Sequence, residues 1–476
     1  MPTDVSLAGS TRGPESLRPL LETALDALGK GAVERDGPLP AGGPRAVEEL
    51  IGATGELLPE EGAGGGVALG ALGHALTAGA ADPADPRCAA HLHAPPLAAA
   101  VAAEVVAATV NSSLDSWDQG PSGTVLEDRV LRELAELAGY RPDVAAGQVT
   151  SGGTESNLTA LLLAREQAGN PGPGGATLFC STEAHFSVQR AAGILGLGED
   201  AVIPVPVDDR HRMDAAALRD RVTASLARGE TPVAIVATAG TTDLGAIDPL
   251  DDVADVAAET GTWLHVDAAY GGGALFSRRL APLLRGLPRA DSAGLDLHKL
   301  GWQPVAAGVL LTRTAELFEP VERRVAYLNT DDDERAGYRS LLGRSLRTTR
   351  RPDVFKIAVT LKAYGRAGLG RMVDRCHDLA GHAARQVRER PELELMQHPV
   401  LSTVVFRFTP DRGDADEVNA ALRRALLHDG KAVVGRTEFG AVYLKLTLLN
   451  PNADERDIDL LLDDVVAAGK RETPTR

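Results

Sequence analysis

Residues 262–273 read TWLHVDAAYGGG, an apolar, β-branched and aromatic run that ends on Asp267 and is followed by small residues. Such a run describes a buried strand with a carboxylate near its carboxyl end. In an open α/β sheet that edge is where ligands bind. Ala268, Ala269 and the Gly271–Gly273 triplet leave room there for a flat molecule. Taken alone, Asp267 is as well explained as a structural aspartate accepting backbone N–H groups.

Outward from this stretch, ATLFC (176–180), AVIPVPV (201–207) and PVAIVATAG (232–240) precede it and VAAGVLLTR (305–313) follows, each separated by helical stretches. The alternation predicts an α/β fold with a mostly parallel sheet covered by helices. Residues 14–30 carry apolar positions at helical spacing and lead into a Gly- and Pro-rich stretch that includes PEEGAGGG (59–66), giving an N-terminal helical arm. PPLAAAVAAEVVAATV, from residue 95, predicts a helix opened by proline, and residues 124–138 predict another. After Arg351-Pro352 a long helical stretch leads to LSTVVFRFTP (401–410) and AVYLKLTLLN (441–450), two strands separated by the helical DADEVNAALRRALLHDG. The expected organisation is an arm and dimerisation segment over 1–90, a large domain over 91–350 and a small α+β domain over 351–476.

The whole chain of 476 residues is 44% apolar and 24% charged, which excludes a small binding module and wholesale disorder. Lys and Arg total 49 against 66 Asp and Glu, a net charge of −17. An acidic surface repels nucleic-acid phosphates and anionic lipid and favours cationic small molecules, so neither nucleic acid nor membrane is expected as a partner. The field is weak beyond a Debye length of about 8 Å, so specificity must come from local residues. Cys88, Cys180 and Cys376 are too few and too scattered for a disulfide framework. Cys88 with His91 and His93 lacks a fourth ligand, so no metal is expected. The first twenty residues have no apolar core, and no stretch offers the ~18 apolar residues of a membrane span. A cytoplasmic protein is the expectation.

Three further stretches carry chemistry. QVTSGGTESNLTALLLARE (148–166) reads as a strand end, a Gly152-Gly153 turn and a helix start, a cradle of free N–H groups suited to a phosphate. A plain capped helix after a tight turn has the same signature. GLDLHKLGWQP (294–304) places Asp296, His298 and Lys299 in a loop before another strand, with Lys299 a candidate nucleophilic amine rather than one more surface lysine. STEAHFSVQRAAGILG (181–196) offers His185, either a ring to lie over a flat ligand or an interior histidine. An anion cradle, then a carboxylate, then a lysine is what pyridoxal phosphate requires: a phosphate site, a partner that keeps its ring nitrogen protonated, and an amine for its aldehyde.

TSGGTESN (150–157), AHFSVQRA (184–191), AGTTDLGAID (239–248), HVDAAYGG (265–272) and DLHKLGWQP (296–304) stand in the order of the group II pyridoxal-phosphate-dependent amino acid decarboxylases, and the chain resembles that family from about residue 85 to 455. The resemblance implies fold type I with a seven-stranded central sheet, pyridoxal 5'-phosphate as cofactor and a homodimer with the active site at the subunit interface. It implies Lys299 as the residue bound to the aldehyde, Asp267 on the ring nitrogen, His185 stacked on the ring and Ala269 on its other face. Gly153, Thr154 and His298 would bind the phosphate, with Asp296 nearby, and Thr242 would sit near the ring oxygen or the substrate carboxylate. Tyr327 matches the mobile-loop tyrosine that returns a proton to the α-carbon; relatives with phenylalanine there form aldehydes. NSSLDSWDQ (111–119), YLNTDDDE (327–334), GRSLRTTRRPD (343–353) and LKLTLLNP (444–451) are similar to the branch of L-2,4-diaminobutyrate and siderophore-type lysine decarboxylases. Asp115 would then meet a cationic substrate side chain, in place of a bulky apolar residue of the aromatic-acid branch, with His91 and His93 along the pocket wall. A carboxyl cap before Trp117 is the other reading of Asp115. Cys88, where many relatives carry an aromatic residue, departs from the branch. The expected reaction is decarboxylation of a diamino acid to a diamine. Lysine, ornithine or aromatic acids as substrates, an aldehyde synthase or aminotransferase, and a non-catalytic homologue are the rivals.

Overall fold

The larger sheet has seven strands: β1 (Ala146–Thr150), β2 (Ala176–Ser181), β3 (Val202–Val205), β4 (Thr231–Thr238), β5 (Trp263–Ala268), β6 (Ser292–Asp296) and β7 (Gly308–Thr312). The computed structural model describes residues 6–323 and 325–475. Five of the strands are buried along their whole length, so they read as continuous apolar runs rather than alternating ones. The order is β1-β7-β6-β5-β4-β2-β3. Pairing is parallel from β3 through β2, β4 and β5 to β6, and β7 runs antiparallel to both β6 and β1.

Parallel pairing brings the carboxyl ends of β4, β5 and β6 to one edge, where Thr238 is in register with Asp267 and Asp267 with Gly294. The stretch 294–296, expected to be loop, is the end of β6, so Asp296 is held by a strand; only His298 and Lys299 lie in the following turn. Small residues in SAGLD hide this strand from a hydrophobicity reading. Helices Gly153–Gln167 and Ser187–Ile194 supply Leu161, Leu163, Val188 and Ala192 to a core shared with Leu178, Val236 and Leu310 of the sheet.

Contacts divide the chain into two compact units, one running from Pro96 to His377 and one formed by the residues up to Pro95 together with those from Asp378 onward. The first contains the seven-stranded sheet. The second contains the N-terminal helices, among them Gly13–Arg35 and Gly65–Gly79, and an antiparallel sheet of β8 (Leu393–Leu395), β9 (Thr403–Phe408), β10 (Gly435–Glu438) and β11 (Val442–Thr447), ordered β10-β11-β9-β8. Val404, Phe406, Leu444 and Leu446 of this sheet pack with Leu422 and Leu461 from the helices Ala415–His428 and Glu455–Glu472. Asp414 caps the first of these helices through the N–H groups of Asp416 and Glu417, and Asp454 opens the second with a capping box.

Candidate active site

Chain reversals after β1, β2, β4, β5 and β6 line one cavity of about 400 Å³ at the carboxyl edge of the larger sheet. Ser151 to Thr154 follow β1, His185 follows β2, Thr238 ends β4, and Gly240 and Thr242 come after it. Asp267, Ala269 and Tyr270 come from β5 and its turn, and Asp296, His298 and Lys299 from β6 and its turn. Every residue assigned from sequence to the cofactor therefore lines the same cavity. Ser151, Thr238 and Tyr270 are lining residues without a sequence assignment.

The anion cradle is built from the turn upward. Gly152 has φ of +154°, and a Cβ on Gly153 would stand 2.9 Å from Cβ of Ala269, so glycine is required for this closeness. Helical bonding begins with Ser156 N–H donating to the Gly152 carbonyl, which leaves the preceding amides at the helix start without helical partners. Glu155 accepts from the Ser151 N–H at 2.6 Å and from Arg347 Nε at 3.1 Å, which fixes the entry to the helix.

Asp267 is buried, with Oδ1 accepting from the Ala269 N–H at 3.0 Å and Oδ2 from Asn157 Nδ2 at 2.8 Å. Asp296, equally buried, is arranged differently: Oδ2 lies 3.1 Å from Lys299 Nζ and 3.5 Å from His298 Nε2, while Oδ1 has no hydrogen-bond partner among the described residues. Ala307 N–H points at His298 Nδ1 at 3.4 Å, consistent with the proton of that ring being on Nε2. Thr238 Oγ1, in the cavity wall, is a second buried polar atom without a hydrogen-bond partner among the described residues. Burial pushes His185 and His298 below the ordinary histidine range, with Asp267 and Asp296 respectively pulling the other way, so both rings are neutral at neutral pH.

The remaining assigned residues stand elsewhere. Asp115 is buried, accepts from Gln119 Nε2 at 3.0 Å and is not in the cavity lining. Tyr327 lies on a turn and is 81% exposed. His91 and His93 are exposed residues of the other unit. Sequence reading missed Asn157, which donates to Asp267, and Ser187 and His265, which hydrogen-bond to Asn157. The available signal was polarity on buried faces: Asn157 lies on a helix face otherwise rich in Leu and Ala, and His265 shares a strand face with Asp267.

A sheet of this topology, with a lysine, two buried carboxylates and a glycine cradle in one cavity, defines a cofactor-dependent enzyme of fold type I. Residues 69–409 match the family model described as the pyridoxal-dependent decarboxylase conserved domain. The chain is 44% identical to L-2,4-diaminobutyrate decarboxylase of Rhizobium meliloti (strain 1021), over 86% of this chain and 83% of that one. It is 35% identical to L-2,4-diaminobutyrate decarboxylase of Acinetobacter baumannii, over 81% and 80%. Among solved structures, the glutamate decarboxylase domain of diaminobutyrate-pyruvate transaminase and L-2,4-diaminobutyrate decarboxylase from Vibrio parahaemolyticus superposes with a TM-score of 0.88 at 33% identity, covering 98% of each chain. The chain belongs to the pyridoxal-dependent decarboxylase family, and it is a pyridoxal-phosphate-dependent amino acid decarboxylase.

The residues present fit the cofactor. The cradle would be filled by any side chain larger than glycine's, Lys299 offers an amine inside the cavity, and Asp267 keeps acceptor capacity beyond its two bonds. Asp296 Oδ1 and Thr238 Oγ1 mark buried polar positions without a partner among the described residues.

Proposed function

We propose that this enzyme decarboxylates L-2,4-diaminobutyrate, releasing carbon dioxide and a diamine. The observation that carries the reading is the convergence of Lys299, Asp267 and His185 on one cavity, in a chain 44% identical to a relative that bears that name. When bound, pyridoxal phosphate supplies an aldehyde for amines and a protonated ring that accepts the electron pair left by carbon dioxide. Lys299 holds that aldehyde. Asp267 keeps the proton on the ring nitrogen, with its own orientation set by Asn157 and the Ala269 N–H. A neutral His185 and Ala269 would hold the ring of the cofactor, while Gly153, Thr154 and His298 would hold its phosphate with Asp296 nearby. Thr242 orients the ring oxygen or the substrate carboxylate. One proton must replace the lost carboxylate on the α-carbon, and we assign its delivery to Tyr327 with His185.

Asp115 is our candidate for the distal ammonium of the substrate. It is buried, and no cation pairs with it among the described residues, an unfavourable state for a carboxylate that an incoming ammonium relieves. His91 and His93 are assigned to the wall of the substrate pocket. We further infer a homodimer, supported by exposed apolar residues such as Leu25, Val33, Leu58 and Leu76 on the N-terminal segment. A cytoplasmic location is supported by free Cys88, Cys180 and Cys376, whose thiols burial pushes up to about 12. Among the described residues no helix is long and apolar enough to cross a membrane.

The test is a screen of purified enzyme with pyridoxal phosphate against basic, acidic and aromatic amino acids, with amine, aldehyde and carbon dioxide measured separately. Diaminobutyrate should exceed ornithine and lysine in kcat/KM by at least about tenfold, the worth of a methylene. A preference for ornithine or lysine would reassign the substrate, and aldehyde as the main product would reassign the reaction. Light scattering at twice the mass of one chain checks the dimer.

A further inference from the structure

On one face of β5, Trp263, His265 and Asp267 follow one another at every second residue, all buried. Trp263 Nε1 donates to Ser292 Oγ at 3.0 Å, and Ser292 Oγ lies 2.9 Å from His265 Nδ1. His265 Nε2 lies 2.9 Å from Asn157 Oδ1. Asn157 Nδ2 donates to Asp267 Oδ2 at 2.8 Å and to Ser187 Oγ at 2.9 Å, and Ser187 Oγ lies 2.8 Å from His185 Nδ1.

The direction of this chain is fixed from the Asp267 end, because a carboxylate only accepts. Asn157 must turn its NH2 group toward Asp267, so its Oδ1 faces His265, whose Nε2 must carry the proton. Burial pushes His265 down to about 4 against the pull of Asp267, which leaves the ring neutral and its Nδ1 bare. Nδ1 takes the Ser292 hydroxyl hydrogen, and the Ser292 oxygen remains free to accept from the indole. The Trp263 indole, which only donates, is compatible with that polarity. On the other branch, the Ser187 N–H also points at His185 Nδ1, at 3.3 Å. That nitrogen is therefore an acceptor, and the proton of His185 sits on Nε2.

We propose that Asn157 is a positioning residue that fixes Asp267 and His185 together, its amide held in one orientation by the acceptor-only Asp267 carboxylate on one side and the Nε2 proton of His265 on the other. Its importance for catalysis rests on the assignment of Asp267 and His185 to the cofactor ring; the bond chain does not. Both Asn157 amide hydrogens are spent, so a flipped amide would set its oxygen against the Asp267 carboxylate and lose both contacts. His265, through its proton on Nε2, makes that flip unfavourable, as outer groups commonly orient the ligands they touch.

The experiment is nitrogen NMR of the full chain with 15N-labelled histidine, at neutral pH, with and without pyridoxal phosphate. His265 and His185 should both carry their proton on Nε2. Either ring protonated on Nδ1, or His265 doubly protonated, overturns the proposal. His265→Leu and His265→Gln then test the lock by cofactor titration and by the pH at which the cofactor absorbance changes. The leucine variant should lose about tenfold or more in cofactor affinity and shift that pH, and the glutamine variant, whose amide can donate to Asn157 Oδ1, should recover to within about threefold. Equal losses in both overturn the proposal. If the leucine variant does not fold, the wild-type ring protonation still decides. Borohydride trapping separates the two levels. A wild type with the expected protonation but no adduct at Lys299 refutes the cofactor reading and leaves the chain intact. An adduct with the wrong protonation does the reverse.

Discussion

Two buried carboxylates end neighbouring strands and are treated in opposite ways. Asp267, on β5, has both oxygens bonded to groups that cannot leave, an asparagine amide and a backbone N–H. Asp296, on β6, has one oxygen facing Lys299 and His298 and the other without a partner among the described residues. The first is a finished site whose geometry is set before any ligand arrives, as electrostatic preorganisation requires. The second holds the lysine that must react and keeps an unsatisfied lone pair beside the cradle, a state tolerable where a ligand completes it.

The comparison breaks most sharply at the amine. Lys299→Ala should lower kcat by about 10⁴-fold or more and abolish the borohydride adduct by peptide mass, since no other amine occupies that position in the cavity lining. Asp267→Asn should come next. It keeps the size and, through its one remaining oxygen, a single one of the two accepting bonds, and it removes the charge that holds the ring nitrogen's proton, so kcat should fall by roughly 10²–10⁴-fold with a changed cofactor spectrum. Asp296→Asn should cost about tenfold or less, because an amide can offer a donor where the lone oxygen has none. Comparable losses in both asparagine variants would erase the distinction.

Much of this arrangement was legible in the sequence, and the limits are instructive. The runs at 176–180, 232–240 and 262–270 fall on β2, β4 and β5 within two residues at each end, since strands buried on both faces announce themselves by composition. Direction does not, and the antiparallel β7 looks no different from its parallel neighbours in VAAGVLLTR. Motif order brought out Gly153, Asp267 and Lys299. Asn157 stayed silent because its partner Asp267 lies 110 residues away, and only the packing of the helix Gly153–Gln167 over β5 joins them. Asp115, His91, His93 and Tyr327 were legible only through family resemblance, and none of them lines the cavity.

Gly153→Ala sharpens the comparison on the cradle side. The added methyl would stand 2.9 Å from Cβ of Ala269 and 3.3 Å from Asp296 Oδ2. Overpacking of this kind costs about 1–3 kcal/mol. It should appear as a loss of roughly 10–100-fold in pyridoxal phosphate affinity by fluorescence titration, with circular dichroism unchanged.

The smallest effect concerns acid stability on the Asp267 side. His265 is held from its ordinary 6.5 down to about 4 by burial, so between those values the unfolded chain takes up a proton that the folded chain refuses. The corresponding stability is complete above about 6.5 and is lost as pH falls through that window. Asp248 works the other way: burial raises it from 3.8 to about 6, so the folded chain gains a proton first and gains stability as pH falls below about 6. The two slopes oppose, and wild type alone shows only their balance with every other group. His265→Gln removes one of them. Its melting temperature should therefore fall less between pH 7 and pH 5 than that of wild type, by roughly 2 °C, the equivalent of about 2 kcal/mol in a chain of this length. Identical pH profiles would mean that the ring is charged in the folded protein, and Asn157 would then face a cation rather than the neutral donor that sets its orientation.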